Sequence, residues 1–436
     1  MKNLPYYDRD VDFDDLAKRD PDFAIISQHG KRDGFINFQD TKIVQQLTKS
    51  LLKTDFNLSI QLPDDKLCPP VPVRWNYVHW IQELLDTTNE EYREAVDPDR
   101  EVLGLDIGVG ASCIYALLAC STRENWRMAG TDINAESLAW AQKNNQGNGL
   151  KSRIKLKQVD NDGSILPLDS LKIEELDFVM TNPPFYSSQS DFESAAKLSE
   201  DGKEAPSAVL TGASNEMICP GGDVGFVTRI LNESLRLRER VQWYTAMLSK
   251  LSSLQQIITK LKEHDINNFA VTSLHPGHRT KRYAVAWSFG DLRPRNDVAR
   301  HGELVLSVLP QLTAQTVKVP GADVKACGKR VNEVMQGLEV KWQWRALLDA
   351  GVVESIGNVW SRAARRKRKI GSSDNDATKM ATDEKERDSE EEHLVALAVK
   401  ISCKDQQIEV RWLRGHEWAL FESFCGMLKR SLSDRK

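Results

Sequence analysis

The sequence predicts an α/β fold, and three apolar runs that each end in a distinctive motif carry that prediction. Residues 102–107 run into a glycine-rich turn, residues 126–131 run into an acid, and residues 176–180 run into an Asn-Pro-Pro segment. Runs of this length and character are typical of buried strands. Over residues 100–290 such runs alternate with helical patterns, which predicts a mostly parallel sheet with helices on both sides.

The first motif is the turn that contains Gly108 and Gly110, placed before a helix that we predict over residues 111–120. Glycines allow a tight turn and let a ligand approach the backbone. The third glycine of a dinucleotide fingerprint is replaced by Cys113, so that fingerprint fails. Taken alone, a turn of this kind is weak evidence for a ligand.

The second motif is an acid, Asp132, at the end of the second predicted strand. Its carboxylate is suitably placed to accept hydrogen bonds from two ribose hydroxyls. The alternative is that Asp132 caps the helix predicted to begin near Ala135, and one side chain can do both.

The third motif is a tetrad, Asn182, Pro183, Pro184 and Phe185. Proline cannot donate to a strand ladder, so the strand ends here and the backbone is rigid. The Asn182 oxygen and the Pro183 carbonyl can accept from one –NH2 group, and Phe185 offers a stacking face. The tetrad therefore suits a planar substrate that carries an amine, although a plain turn is the alternative.

The chain divides into a polar lead-in over 1–34, a main domain over 35–295 and a smaller α+β domain over 300–436. In the main domain, residues 41–52 and 75–85 predict amphipathic helices, and the polar segment 187–206 favours a substrate lid over an inert linker. In the smaller domain we predict strands over 303–309, 338–344, 394–402 and 407–413, a helix over 417–432 and a disordered loop over 371–392, which is too polar to bury a core.

Composition narrows the class of protein. The 436 residues suffice for two or three domains, and the net charge of −4 requires any nucleic-acid surface to be local. No run approaches ~18 apolar residues and the start lacks a signal-peptide core, so we expect a soluble intracellular protein. The seven cysteines include no C-x-x-C pair, so neither structural zinc nor a disulfide framework is expected.

Further motifs extend the pattern beyond the three strand ends. They occupy residues 35–38, 51–60, 71–80, 106–115, 211–217, 221–222 and 284–289. Together with the tetrad they are similar to the methyltransferase-like protein 16 family over roughly residues 20–290. Members methylate adenine N6 in U6 small nuclear RNA, and bacterial relatives modify large-subunit ribosomal RNA. The resemblance implies a class I Rossmann-like fold that uses S-adenosyl-L-methionine.

The resemblance also implies roles for particular residues. The tetrad would be catalytic and hold the adenine. Cofactor contacts would come from Arg74, Asp106, Gly108, Gly110, Ser112, Asp132 and Asn182. It implies an enzyme that acts on structured RNA, with U6 small nuclear RNA as the expected substrate, in the nucleus or also the cytoplasm, and we expect a monomer without metal or membrane.

Clusters of cations suggest where RNA binds. One cluster surrounds a Pro-Gly turn and the other lies on residues 362–369, and both suit phosphate contact. The candidate RNA-binding residues are Arg279, Lys281, Arg282, Arg365, Arg366, Lys367 and Arg368. The alternatives for the second cluster are a nuclear localisation signal and, less favoured, a solvated charged loop.

Two alternatives remain open at this point. The tetrad also serves protein glutamine-N5 and DNA-adenine methyltransferases, and the chain could act mainly as a non-catalytic RNA-binding scaffold. The chain departs from the family at its acidic start and at residues 159–164, which carry acids where a regulatory lysine loop is expected. Neither an N-terminal RNA contact nor that autoinhibition can be carried over.

Overall fold

The computed structural model describes residues 7–29, 31–32, 35–37, 40–63, 66–191, 193, 217–274, 281–362, 364 and 395–433. The chain forms two compact units. The first comprises Met1–Asp86, Glu94–Gly290 and Val298–Pro310, and the second comprises Thr87–Arg93, Asp291–Asp297 and Gln311–Lys436. The lid segment, for the most part, and the predicted disordered loop lie outside the described residues.

The first unit is built on an eight-stranded sheet. Its helices are α1 Phe13–Arg19, α2 Pro21–His29, α3 Thr41–Phe56, α4 Val71–Thr87, α5 Ile114–Thr122, α6 Ala135–Gly147, α7 Leu168–Leu171, α8 Gly222–Leu237 and α9 Leu251–Glu263, and the boundary between the units falls at the last residue of α4 and within α10 Asn296–Ala299. Its strands are β1 Lys31–Arg32 and β2 Phe35–Ile36, which form a separate hairpin, then β3 Val102–Ile107, β4 Trp126–Asp132, β5 Ile154–Gln158, β6 Leu176–Thr181, β7 Val241–Leu248, β8 Asn268–Leu274, β9 Arg282–Ser288 and β10 Arg300–His301.

The order of strands in that sheet is β10-β8-β9-β7-β6-β3-β4-β5. Strand β9 runs antiparallel to β7 and β8, and the other neighbours are parallel. Along β6, Phe178 and Met180 belong to one apolar cluster while Val179 belongs to another on the opposite face. Alternation of this kind places a helix layer on each face, so the predicted mostly parallel α/β sheet is confirmed.

The start of the chain contributes to the first core. Helix α1 begins after Asp12, whose side chain accepts from the Asp15 backbone N–H. Leu16 and Phe23 are fully buried in the core cluster that also contains α3 and α4. The acidic lead-in therefore includes packed helices as well as polar surface.

The second unit is the predicted α+β structure. Its elements are β11 Ala314–Lys318, α11 Val324–Gln336, β12 Lys341–Arg345, β13 Ala350–Ser355, β14 Leu397–Lys404, β15 Gln407–Arg414 and α12 Trp418–Leu432. The antiparallel sheet has the order β11-β15-β14-β13-β12, and α11 and α12 share its core.

Two of the predicted elements are wrong in detail. Residues 303–309 contain a 3-10 turn, Leu306–Val308, in place of a strand. Leu306 is 83% exposed and Val308 is buried, so the run lacks the burial that a strand here would need. The helix predicted over 111–120 begins only at Ile114, because Cys113 adopts a left-handed conformation with φ of 54°.

Candidate active site

The three sequence motifs meet at one edge of the first sheet. Strand β3 lies between β6 and β4 and is parallel to both, so all three carboxyl ends point the same way. Ile107 is paired with Thr131 on one side and with Thr181 on the other. The Thr181 hydroxyl donates to the Ile107 carbonyl at 2.8 Å and ties two of these ends together.

The glycine turn is held by the end of β4. The backbone N–H groups of Gly108 and Val109 donate to the Thr131 carbonyl at 2.8 and 2.9 Å. Gly108 and Gly110 have φ of +75° and +60°, and a Cβ built on either would have no described atom within 4 Å. The backbone therefore borders open space at two residues whose conformation favours glycine.

Asp132 is anchored on both of its oxygens. Oδ2 accepts from the Gly110 N–H and Oδ1 from the Asn134 N–H, each at 2.9 Å. Burial raises the pKa of Asp132, and these backbone donors oppose that rise. The cap of α6 is Asn134, which accepts from Ser137, so Asp132 is not the helix cap. Each Asp132 oxygen keeps lone pairs for a ligand.

Asp106 is fully buried near the turn. Neither of its oxygens has a hydrogen-bond partner among the described residues. Burial, reinforced by the nearby Asp132, raises the pKa of Asp106 to about 8, while Arg74 opposes the rise. Buried polar atoms in native structures are normally satisfied, so this carboxyl group is suited to a donor that comes with a ligand.

Arg74 reaches the site from α4 and is only 5% exposed. Its Nη1 donates to Asn182 Oδ1 at 3.2 Å and lies 3.0 Å from Met247 Sδ. The guanidinium also lies over the ring of Tyr115, 5.6 Å from its centroid. Within the described part of the chain, Arg74 has no carboxylate within ion-pair distance, so a buried cation stands beside the tetrad without a close counterion.

The tetrad is followed by a short bridge that fixes the loop. The Tyr186 N–H donates to the Met217 carbonyl at 2.9 Å, and the Cys219 N–H donates to the Tyr186 carbonyl at 3.0 Å. Helix α8 begins directly under the loop, since a Cβ on Gly222 would lie 3.0 Å from the Phe185 carbonyl oxygen. This close approach and the φ of +61° at Gly222 both favour glycine at the start of α8.

Phe185 is half-buried and has a cation over its ring. The guanidinium of Arg282, at the start of β9, lies 5.2 Å from the ring centroid. Burial lowers the pKa of Arg282, and the nearby Arg74 adds to that effect. The sequence offered Arg282 only as an RNA contact, and nothing in its spacing indicated the packing against Phe185.

The remaining predicted residues are distributed as follows. Ser112 is buried beside the turn, and Pro183 is buried while Pro184 is half-buried. Lys281 is exposed. Arg279, Arg365, Arg366, Lys367 and Arg368 lie outside the described residues.

Sequence reasoning missed the residues that support the site from a distance. Glu233 on α8 accepts from the Ser164 hydroxyl at 2.6 Å, from the Ile165 N–H at 2.9 Å and from the Leu166 N–H at 3.0 Å. This carboxylate holds the loop that follows β5, and the Val159 N–H at the start of that loop donates to the Asp132 carbonyl at 3.0 Å. An acid in the middle of a helix gave no signal of this role.

No group of three or more potential metal-binding side chains occurs among the described residues. No helix in the same part of the chain has both the length and the apolar character needed to cross a membrane.

The fold and the arrangement at this sheet edge define a class I methyltransferase. The chain belongs to the RNA methyltransferase family, whose model matches residues 2–291. The resemblance that the motifs predicted is thereby confirmed.

Similar proteins cover the chain to different extents. The U6 small nuclear RNA (adenine-(43)-N(6))-methyltransferase of Schizosaccharomyces pombe is 32% identical over 94% of this chain and 99% of its own length. The human RNA N(6)-adenosine-methyltransferase METTL16 is 37% identical, and the match covers 66% of this chain and 50% of the human protein. Ribosomal RNA large subunit methyltransferase F of Pseudomonas putida is 37% identical over 64% of this chain and 90% of its own.

Solved structures agree with this assignment. The human METTL16 catalytic domain in complex with MAT2A 3'UTR hairpin 1 has a TM-score of 0.56 and 35% identity, over 66% of this chain and 95% of that one. The N-terminal domain of human METTL16 in complex with SAH has a TM-score of 0.52 and 33% identity, and the match covers 67% of this chain and 99% of that domain.

Proposed function

We propose that the protein transfers the methyl group of S-adenosyl-L-methionine to the N6 atom of an adenosine in structured RNA, and that U6 small nuclear RNA is this substrate. The observation that carries the proposal is the meeting of the glycine turn, Asp132 and Asn182 at one sheet edge. The yeast relative, which matches nearly the whole of both chains, supports the choice of RNA. A U6 substrate implies that the protein works in the nucleus.

The residues at the edge fit the cofactor. The ammonium group of the cofactor can donate to Asp106, whose oxygens have no hydrogen-bond partner among the described residues. The carboxylate of the cofactor can pair with Arg74, which has no carboxylate within ion-pair distance among those residues. Asp132 has lone pairs for ribose hydroxyls. The residues that would hold it are Arg74, Asp106, Gly108, Gly110, Ser112, Asp132 and Asn182. When bound, the cofactor supplies an electrophilic methyl group.

The tetrad would prepare the adenine amine for transfer. Its lone pair is delocalised into the ring, which makes it a poor nucleophile. The Asn182 oxygen and the Pro183 carbonyl would accept both N–H bonds and hold the amine in line, so positioning carries most of the catalysis. No dedicated base is needed, because the methylated ammonium product is strongly acidic.

The base must leave its stack before it reaches the tetrad. Extrusion costs a few kcal/mol, and stacking on Phe185, worth roughly 1–3 kcal/mol, offsets much of it. Arg282 already packs against this ring, so the phenyl group is held in place before RNA arrives. Lys281, Arg279 and Arg282 would then contact the phosphates on either side of the extruded base.

The test of the function is a product assay. The protein is incubated with U6 transcript and isotopically labelled cofactor, and the RNA is digested for nucleoside mass spectrometry. We expect label in N6-methyladenosine. Label in another nucleoside, or none under conditions in which SAH binds, would overturn the proposed substrate or reaction.

We further propose that the domain over 300–436 adds RNA contacts through the basic run at its centre. Replacing Arg365, Arg366, Lys367 and Arg368 with glutamine should flatten the slope of log affinity against log salt by about three to four, one unit for each lost phosphate contact. An unchanged slope would show that the run does not touch RNA and would favour its role as a nuclear import signal.

A further inference from the structure

Arg74 donates a hydrogen bond to the side-chain oxygen of Asn182, the one side-chain atom that the proposed reaction needs as an acceptor for the adenine amine. Its Nη1 donates to Asn182 Oδ1 at 3.2 Å, across 108 residues of sequence. We propose, on the basis of the function above, that Arg74 makes capture of the target amine depend on the cofactor. Without cofactor the guanidinium holds the Asn182 oxygen, and the carboxylate of the bound cofactor draws it away.

The present partners of Arg74 are weak competitors for a carboxylate. They are an uncharged amide oxygen at the long end of the hydrogen-bond range, a thioether sulfur at 3.0 Å and the face of Tyr115. Hydrogen bonds between a guanidinium and a carboxylate are shorter and roughly twice as strong as neutral ones. A carboxylate placed next to this buried cation therefore displaces these partners and binds the guanidinium.

The exchange changes what Asn182 offers to the substrate. An oxygen that already accepts from a guanidinium is a poorer acceptor for a second donor. The amine also gains positive charge as the methyl group is transferred, and a cation at the same oxygen opposes that charge. Once Arg74 is bound to the cofactor carboxylate, both effects are removed. Cofactor binding therefore precedes productive capture of the base.

The inference can be tested with the unmodified protein and two matched RNAs. One U6 RNA carries adenosine at the position found methylated, and the other carries purine riboside, which lacks the N6 amine. The ratio of their dissociation constants, measured by anisotropy, gives the contribution of the amine alone. It is measured without nucleoside, with saturating SAH, and with saturating 5′-methylthioadenosine, which has no carboxylate.

We expect the ratio to be near one without nucleoside and with 5′-methylthioadenosine. With SAH it should rise about three- to tenfold, the usual worth of one hydrogen bond. A ratio that is the same in all three conditions, or that rises equally with both nucleosides, would overturn the inference. Failure of SAH to bind or of N6 to be methylated would instead overturn the proposed function.

Two variants locate the effect. Arg74→Met removes the donor to Asn182, so the ratio should already be raised without nucleoside. Met247→Leu removes only the second acceptor of the same Nη1 and should keep the dependence on SAH. Thermal melting confirms that both variants fold. An Arg74→Met protein that folds and still shows a ratio near one would also contradict the inference.

Discussion

The two halves of the site are held in place by different kinds of contact. The cofactor side, residues 106–110 with Asp132, is fixed by hydrogen bonds between adjacent strand ends, such as Gly110 N–H to Asp132. The base side, residues 182–186, depends on groups from distant parts of the chain: Arg74 on α4, Met217 ahead of α8 and Arg282 on β9. The position of the cofactor side is therefore set by the sheet itself, whereas the position of the base side depends on elements from the whole first unit.

The largest effect should come from the base side. Asn182→Ala removes the oxygen proposed to receive the amine, so methylation should fall by roughly a hundredfold or more. RNA affinity should stay within a few-fold, because phosphate contacts dominate it. Single-turnover methylation and anisotropy measure the two quantities. Near-normal turnover would remove Asn182 from the chemistry.

The next effect tests the cofactor side. Gly110→Val fills the open space above the turn and places a branched residue at φ of +60°. SAH affinity, measured by calorimetry, should fall by about tenfold or more, or about 1.4 kcal/mol. Gly149→Val is the matched control, since Gly149 has φ of +70° with no described atom within 4 Å of a built Cβ and lies outside the site. It should show the same backbone strain with normal SAH affinity, and equal losses in both variants would exclude a role for the turn.

A smaller effect tests whether the cofactor side also relies on a distant brace. Glu233→Gln weakens three hydrogen bonds to residues 164–166 and should lower the free energy of unfolding by about 1–3 kcal/mol, seen as a melting temperature a few degrees lower. SAH affinity should stay within about threefold of normal. Glu263→Gln, on the exposed end of α9, is the control. A large loss of SAH affinity would show that the cofactor side also depends on α8, and the contrast between a cofactor side fixed by strand ends and a base side fixed by distant groups would fail.

A separate effect is a pH dependence of the stability of the cofactor-free protein. The ordinary pKa of 3.8 rises to about 8 for Asp106, so in this window the folded protein keeps a proton that the unfolded chain has lost. Stability should therefore fall as pH rises between about 4 and 8, and Asp106→Asn should remove that part of the slope. Melting temperatures across this window measure it. Parallel pH profiles for the two proteins would show that Asp106 is ionised in the folded state.

Sequence reasoning succeeded where a motif sits at the end of a parallel strand. The glycine turn, Asp132 and the tetrad were predicted at the ends of strands in a mostly parallel sheet, and β3, β4 and β6 are adjacent parallel strands that bring these ends to one edge. It failed where a distant partner decides the outcome. Asn134 rather than Asp132 caps α6, and the Arg74–Asn182 bond joins residues with no shared pattern. The run over 303–309 has the composition of a strand, but the place beside β8 belongs to Arg300–His301.

Strand β9 has a consequence for the growing chain on the ribosome. It inserts between β7 and β8 although it is synthesised after both, with Tyr244 paired to Trp287 on one side and Val271 to Val285 on the other. Until residue 288 has emerged, the outer edge of β7 has unpaired backbone groups, a known starting point for aggregation. Arg282 lies on the same strand. While the edge of β7 is still unpaired, the nascent chain therefore also lacks the guanidinium that packs over Phe185.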